Sequence, residues 1–290
     1  MINCLDDNTR VELGKSTSHG GEADLISLES AVTDLLSGKI DILVTAPIDK
    51  HNVQSENFNF SGHTEYLKSK AGTADVLMFM IGETMRIGIA TGHVPLSEVP
   101  GLITFDLLMR KLRLMEQSLT KDFGIRKPSI AVLGLNPHAG DNSLLGKEEE
   151  AIINPAIQQA KKEGILAFGP FPCDGFFGAG SFAKFDGILA MYHDQGLTPF
   201  KVISFDTGVN FTAGLPFVRT SPVHGTAFQI AGKGEASENS FRQAIYLACD
   251  IIKNRQQYAE IAKNPLKHQD IDIYNDRMDE LPPDIFNAEQ

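Results

Sequence analysis

No tryptophan occurs in this 290-residue chain, and cysteine occurs only three times, at Cys4, Cys173 and Cys249. Thiols so few and so scattered exclude a disulfide framework and a Cys-x-x-Cys metal site, and imply reduced cytosolic thiols. Basic residues are also in short supply. Lys and Arg number 26 against 37 Asp and Glu, a formal net charge of −11 and a pI near 5.2. That deficit argues against a nucleic-acid binder, which carries a basic footprint, and against an anionic membrane surface. It does not exclude a small anionic substrate, because local cations decide that. No apolar run approaches the ~20 residues of a membrane-spanning helix. The opening MINCLDDNTR lacks the basic and apolar regions of a secretion signal, so the expected location is the cytoplasm. No Gly-x-Gly-x-x-Gly follows the first predicted strand, which removes the Rossmann fingerprint.

What is present is a globular composition, 42% hydrophobic and 22% charged, with enough apolar mass for one large α/β unit or two lobes. Short apolar runs alternate with amphipathic stretches, the pattern of a mostly parallel α/β sheet. Glu22 to Ser37 is apolar at Leu25, Leu28, Val32, Leu35 and Leu36, a helical spacing, with Gly38 as its stop. Strands are expected at 40–45, 76–81, 87–91, 129–135 and 188–192, and helices at 105–119, 147–162 and 237–253. Pro155 should break or kink the second of these helices, and Ser237 should cap the third. His268 to Gln290 holds seven acidic residues against Arg277 alone, and is expected to be a peripheral tail.

Three of the eight histidines share one context: an apolar strand runs out into a polar loop at Thr91-Gly92-His93, at Asn136-Pro137-His138 and at Tyr192-His193. Carboxyl ends of strands line the ligand crevice of open α/β sheets. Three imidazoles gathered there could hold one divalent cation, zinc or a harder ion such as Mg²⁺, Mn²⁺ or Co²⁺, and leave positions open for a substrate. Taken singly, each histidine reads as a hydrogen-bonded loop residue.

Groups suited to an anion form a second set. Ser61-Gly62-His63-Thr64-Glu65 opens a helix, which suits either an anion site or an ordinary N-cap by Ser61 or Thr64. Lys201, Asn210 and Arg219 lie on or beside apolar runs expected to be buried strands, where a cation is costly unless paired or serving a ligand. Arg219 could clamp a phosphate or carboxylate, or form a structural ion pair. The stretch from Ser221 to Gly234 then carries glycines at 225, 232 and 234, which permit a tight backbone beside a ligand.

Taken together, VTAPIDK (44–50), SGHTEYL (61–67), TGHVPL (91–96), GLNPHAGD (134–141), GPFPCDGFF (169–177), DGILAMYHDQGL (186–197) and GLPFVRTSPVHGTAFQIAGKG (214–234) resemble one family, the 4-hydroxythreonine-4-phosphate dehydrogenases (PdxA) of pyridoxal phosphate biosynthesis. The similarity runs over roughly residues 10 to 265. It implies an isopropylmalate-dehydrogenase-like α/β/α fold of two lobes around a cleft. Residues 1–54 with 200–290 would form the NAD-binding lobe, and 55–199 the metal, substrate and dimerisation lobe. The resemblance places a divalent metal on His93, His138 and His193, in a site shared across a homodimer with His193 reaching over. Contacts to a phosphorylated small-molecule substrate fall on His63, Thr64, Lys201, Asn210 and Arg219. Likeness to the isocitrate-type loop puts His224, Gly225, Ala227 and Asn239 near NAD or NADP. Three positions depart from the family pattern: Val223 stands where many members have Asp, Asp141 where Glu is usual, and Cys173 where a small residue is common. The family's opening strand and GDPxGIGxE-like loop have no counterpart in this sequence, which implies a chain that begins inside the fold.

The reaction implied is NAD-dependent oxidation of the 3-hydroxyl of 4-phosphooxy-L-threonine, followed by decarboxylation. Lys201 is the candidate for proton transfer, on the ground that a desolvated lysine has a lowered pKa. Two alternatives stay open: a paralogue oxidising 4-phospho-threonate or 4-phospho-erythronate, and a non-catalytic metal- and phosphate-binding homologue.

Overall fold

Short apolar runs become strands of one sheet, and the amphipathic stretches between them become the helices that cover it. The computed structural model describes residues 2–6, 12–50, 52–54, 58, 60 and 62–265. The acidic stretch from His268 and the predicted cap Ser61 lie outside the described residues. In chain order the elements are α1 (Ser18–Leu36), β1 (Ile42–Val44), α2 (His63–Ala71), β2 (Leu77–Ile81), β3 (Arg86–Ile89), α3 (Val99–Leu102), α4 (Phe105–Lys121) and β4 (Ser129–Leu133). There follow α5 (Asn154–Lys162), β5 (Leu166–Phe171), α6 (Cys173–Gly178), β6 (Gly187–Ala190), α7 (His193–Ser204), β7 (Val209–Ala213), β8 (Val218–Pro222) and α8 (Asn239–Ala262).

The eight strands form one sheet in the order β1-β8-β7-β2-β3-β6-β4-β5. The expectation of a mostly parallel sheet needs correction. β1/β8, β3/β6, β4/β6 and β4/β5 are parallel, but β7/β8, β2/β7 and β2/β3 are antiparallel. For β2/β3 and β7/β8 the cause is connection length. Four residues join β2 to β3, closed by Gly82 N–H to Met85 C=O at 2.9 Å, and four join β7 to β8. Neither link is long enough for a parallel crossover.

Period-two alternation sorts the side chains between the two faces. On β2, Leu77, Phe79 and Ile81 enter the larger core beneath α4, α5 and α8, while Met78 and Met80 face the other way. α4 buries Leu108, Met109, Leu112, Met115 and Leu119, a stripe at helical spacing, each worth roughly 1.5–3 kcal/mol of transfer free energy. Thr104 caps this helix by accepting from Leu107 N–H at 3.2 Å, which adds about 1 kcal/mol. On the opposite face, α7 lies close against β3 and β6 because Gly196 has no side chain. A Cβ there would stand 2.5 Å from Ile89 Cδ1. A third apolar cluster joins α1, α2 and β1 through Leu28, Val32, Leu43, Tyr66, Leu67 and Phe217.

Three further expectations are revised. The run Phe200–Phe205, read as lying with buried strands, ends helix α7, so Lys201 is exposed on a helix. Ser237 is not the N-cap of α8, which starts two residues later behind Glu238; Ser237 instead accepts from Asn239 N–H at 3.3 Å. Pro155, which lacks an N–H, sits in the first turn of α5, and the chain reaches it through a wider π-helical turn at Glu149–Ile153 rather than through continuous α-helix.

Candidate active site

The candidate cleft, of roughly 220 Å³, opens on the sheet face that carries α7 and α2. β2 supplies Met78 and Met80 to its floor, β7 supplies Asn210, and β8 supplies Arg219 and Ser221. The alternation Val218-Arg219-Thr220-Ser221 explains the last pair. Val218 enters the core and Thr220 donates to Ala244 C=O of α8 at 2.8 Å, so residues 219 and 221 must face the cleft. His63, Thr64 and Glu65 arrive on the first turn of α2, His93 from the loop after β3, His193 at the start of α7, and Lys201, His224 and Gly225 complete the wall.

Arg219 is the unusual group. Only 3% of it is exposed. It donates to Thr45 Oγ1 at 2.8 Å and more weakly to Thr212 Oγ1 at 3.4 Å. Its Nε has no partner, and among the described residues no carboxylate lies within ion-pair distance. Burial pulls its pKa down to about 10, against an upward pull from the Glu65 carboxylate. The alternative of a structural ion pair is therefore ruled out among the described residues. A buried guanidinium without a counter-ion costs several kcal/mol unless a ligand supplies the anion. Asn210, beside it, has a buried Oδ1 that is likewise unpartnered.

His63 lies at the positive end of α2, where Gly62 is the cap and no side chain caps the helix. Thr64 therefore does not serve as the N-cap, and among the described residues no side chain accepts from the terminal N–H groups. Burial, then Arg219, then Lys50 push the His63 imidazole from the ordinary 6.5 to about 3. It is neutral at pH 7 and free to donate to or accept from a ligand.

The histidines at strand exits are tied together by a chain of hydrogen bonds. Thr91 Oγ1 donates to Met191 C=O at 2.7 Å. Met191 N–H donates to Gln195 Oε1 at 2.7 Å, and Gln195 Nε2 donates to Gly134 C=O at 2.6 Å. This links the exits of β3, β6 and β4, from which His93, His193 and His138 follow. The His93 and His193 rings lie 5.3 Å apart, centroid to centroid. Two imidazoles on one tetrahedral ion, with metal–nitrogen bonds near 2.0–2.1 Å, place their centroids about 5 Å apart, so the pair fits a shared cation. Burial, then Lys50 and His193, lower the His93 pKa against an opposing pull from Glu65, which favours the neutral ring a metal requires. His193 Nδ1 is 2.6 Å from Asp194 Oδ1, an interaction that orients the ring. Within one chain the His193 ring lies against His93, and His138 stands apart. His138 is exposed, outside the cleft lining, in a left-handed turn with φ of +52°. Among the described residues no three metal-capable side chains converge.

Of the dinucleotide candidates, His224 and Gly225 line the cleft, whereas Ala227 and Asn239 do not. Asn239 donates to Asp206 Oδ2 at 2.7 Å and accepts from Arg242 at 2.5 Å. A second cleft of roughly 340 Å³ lies beside the first, sharing Pro47, with Thr226, Phe228 and Ala231 of the glycine-bearing loop in its wall. Lys201 sits exposed at the rim, so a single chain does not provide the desolvation on which its proton-transfer role was argued.

The residue-by-residue reading missed several groups. Lys50 and Glu65 line the cleft and fall inside the quoted motifs, but neither had been assigned a role. Thr45, Thr91 and Gln195 act through long-range partners that spacing does not reveal. Glu149, 4% exposed, accepts from Leu135 N–H and Asn136 N–H at 2.7 Å each, so it braces the loop that carries His138.

Among the described residues no helix is long and apolar enough to cross a membrane. Residues 1–248 match the profile of a family described as "Pyridoxal phosphate biosynthetic protein PdxA". The chain is 51% identical over 270 residues to a 4-hydroxythreonine-4-phosphate dehydrogenase of Bacteroides thetaiotaomicron, covering 93% of this chain and 74% of the relative. The structure superimposes on a 4-hydroxythreonine-4-phosphate dehydrogenase from Klebsiella pneumoniae with a TM-score of 0.73 at 34% identity, covering 85% of this chain and 75% of the other. An isocitrate dehydrogenase from Methylococcus capsulatus shares the fold at a TM-score of 0.50 and 13% identity, covering 80% of this chain and 74% of the other.

Proposed function

The chain belongs to the PdxA family, and on that premise we propose that it is a 4-hydroxythreonine-4-phosphate dehydrogenase of pyridoxal phosphate biosynthesis. It oxidises 4-phosphooxy-L-threonine at C3 with NAD, and the 3-oxo acid loses CO₂ to give 3-amino-2-oxopropyl phosphate. The observation that carries this is Arg219: a buried guanidinium without a carboxylate, at the floor of a cleft that also holds the open N-terminus of α2. Such a site is built for a compact anion.

Each group then has a task. Arg219, His63, Thr64 and the first-turn N–H groups of α2 hold the phosphate or the carboxylate, and Asn210 fixes the substrate's orientation. His93 and His193 would hold a divalent cation, zinc or a harder ion, with His138 as the third ligand. One chain presents two of the three imidazoles together, which supports a homodimer with the site shared between subunits. The loop from Ser221 to Gly234 would hold the dinucleotide, with 1–54 and 200–290 as its lobe and 55–199 as the metal and dimerisation lobe. When bound, the cation supplies Lewis acidity to the 3-hydroxyl and NAD supplies the hydride acceptor. Lys201, at the rim, delivers the proton to C2 after CO₂ leaves; closure of a partner surface over it would provide the desolvation that one chain lacks. The setting is cytoplasmic.

The test is NADH formation from 4-phosphooxy-L-threonine, 4-phospho-threonate and 4-phospho-erythronate, with and without a chelator. Turnover of the amino acid, abolished by the chelator and restored by added metal, is expected. Turnover confined to the hydroxy acids would move the enzyme to a paralogous activity. No turnover of any of them with metal and NAD present would leave only a non-catalytic binder.

A further inference from the structure

Resting on that substrate class, the geometry points to Glu65 as the specificity-determining residue that receives the substrate's C2 ammonium. The described side chains lining the cleft include Lys50, Lys201, Arg219 and four histidines, but Glu65 is the one carboxylate among them. A cleft so lined suits phosphate and carboxylate, and offers an ammonium group a single charged acceptor.

Glu65 is not engaged elsewhere. No hydrogen bond or ion pair reaches its carboxylate among the described residues, although its charge is felt at both Arg219 and His93. A Cβ on Gly62 would stand 3.6 Å from Glu65 Oε2 and 3.7 Å from Lys50 Cε, so both side chains border this glycine, yet no ion pair joins them among the described residues. The first turn of α2 stabilises its negative charge. Arg219 and Glu65 thus face one cleft with opposite charges held beyond contact distance. A zwitterion laid between them, anion toward Arg219 and ammonium toward Glu65, completes both. A substrate with a hydroxyl at C2 leaves Glu65 without its cation, so the same contact separates the amino acid from its phosphorylated hydroxy-acid analogues.

Calorimetric titration of the metal-loaded full chain with 4-phosphooxy-L-threonine and with 4-phospho-erythronate, on wild type and on the isosteric Glu65→Gln, tests this. The variant should weaken the amino acid on the order of 10- to 100-fold, the range of a charge-assisted hydrogen bond, and leave 4-phospho-erythronate nearly unchanged. Equal weakening of both ligands would assign Glu65 to the fold or the metal and overturn the inference, as would no change in either. A second measurement needs no variant: wild type should bind 4-phosphooxy-L-threonine at least tenfold more tightly than 3-hydroxy-4-phosphooxybutanoate, which lacks the C2 amine, and equal affinities would also overturn it. Failure of the substrate proposal itself shows separately, as NADH formation confined to the hydroxy acids by wild type.

Discussion

Two buried cations in this molecule are treated in opposite ways. Lys111 on α4 is 7% exposed and fully engaged: its ammonium lies 2.7 Å from Asp75 Oδ1 and 2.6 Å from Val76 C=O. Arg219 on β8 is 3% exposed, is held by two threonine hydroxyls, and among the described residues its Nε has no partner. Arg255, also largely buried, follows the first pattern, with Asp122 Oδ1 at 2.6 Å. Arg86 is intermediate: its Nε is unpartnered, but it stacks on Phe123 and donates to Asp186 C=O at 3.3 Å. The difference teaches how to separate a structural charge from a functional one. Where a cation serves the fold, its donors are satisfied by the chain; where it serves a ligand, the chain supplies a socket and leaves the counter-charge out.

The contrast can be broken by substitution. Arg219→Met should lower kcat/KM for the phosphorylated substrate on the order of 10²- to 10³-fold or more, the loss that follows removal of one partner of a buried charge pair. Retention of more than a tenth of wild-type kcat/KM would end the anion-site account. Asp75→Asn should act in the other direction. It strands the Lys111 ammonium and should destabilise the fold by about 3 kcal/mol, read as a fall of roughly 6–12 °C in Tm, while the folded enzyme keeps its kcat/KM within a few-fold.

A subtler test uses pH. The folded-state pKa of His63, about 3, lies below its ordinary 6.5, so between these values the unfolded chain binds the extra proton. Its contribution to stability is full above pH 6.5 and is lost as pH falls toward 3. Denaturant titrations should show a steeper decline over that window in wild type than in His63→Asn. Parallel curves would mean that burial, Arg219 and Lys50 together do not lower the pKa of this imidazole. The smallest expected effect is at the brace between strand exits. Gln195→Met removes two buried hydrogen bonds, which should lower stability by about 1–3 kcal/mol and weaken zinc binding about tenfold, as measured by competition with a chromophoric chelator.

Much of this was legible in the sequence, for identifiable reasons. Buried strands such as Ala131–Leu133 announce themselves by continuous apolar runs, and α4 by its stripe of leucines and methionines. The period of two puts Arg219 and Ser221 on one face, but only the structure shows Val218 in the core and so which face that is. What remained hidden depends on distant partners. Phe200–Phe205 looks like a strand locally, but Gly196 lets the segment pack as a helix across β3 and β6. The three histidines were readable as a set, yet only the structure shows that His93 and His193 meet while His138 stands off in a left-handed turn. Glu65 was hidden by its position, since an acid in the first turn of a helix looks like ordinary dipole compensation.

The central claim, that Arg219 is an anion socket rather than a structural charge, is tested most directly by melting wild type and Arg219→Met with and without inorganic phosphate. Without phosphate the variant should melt at or above the wild-type temperature, because a buried charge with no partner has been removed, and added phosphate should raise the Tm of wild type alone. A variant that melts several degrees lower, with phosphate stabilising both proteins equally, would contradict it.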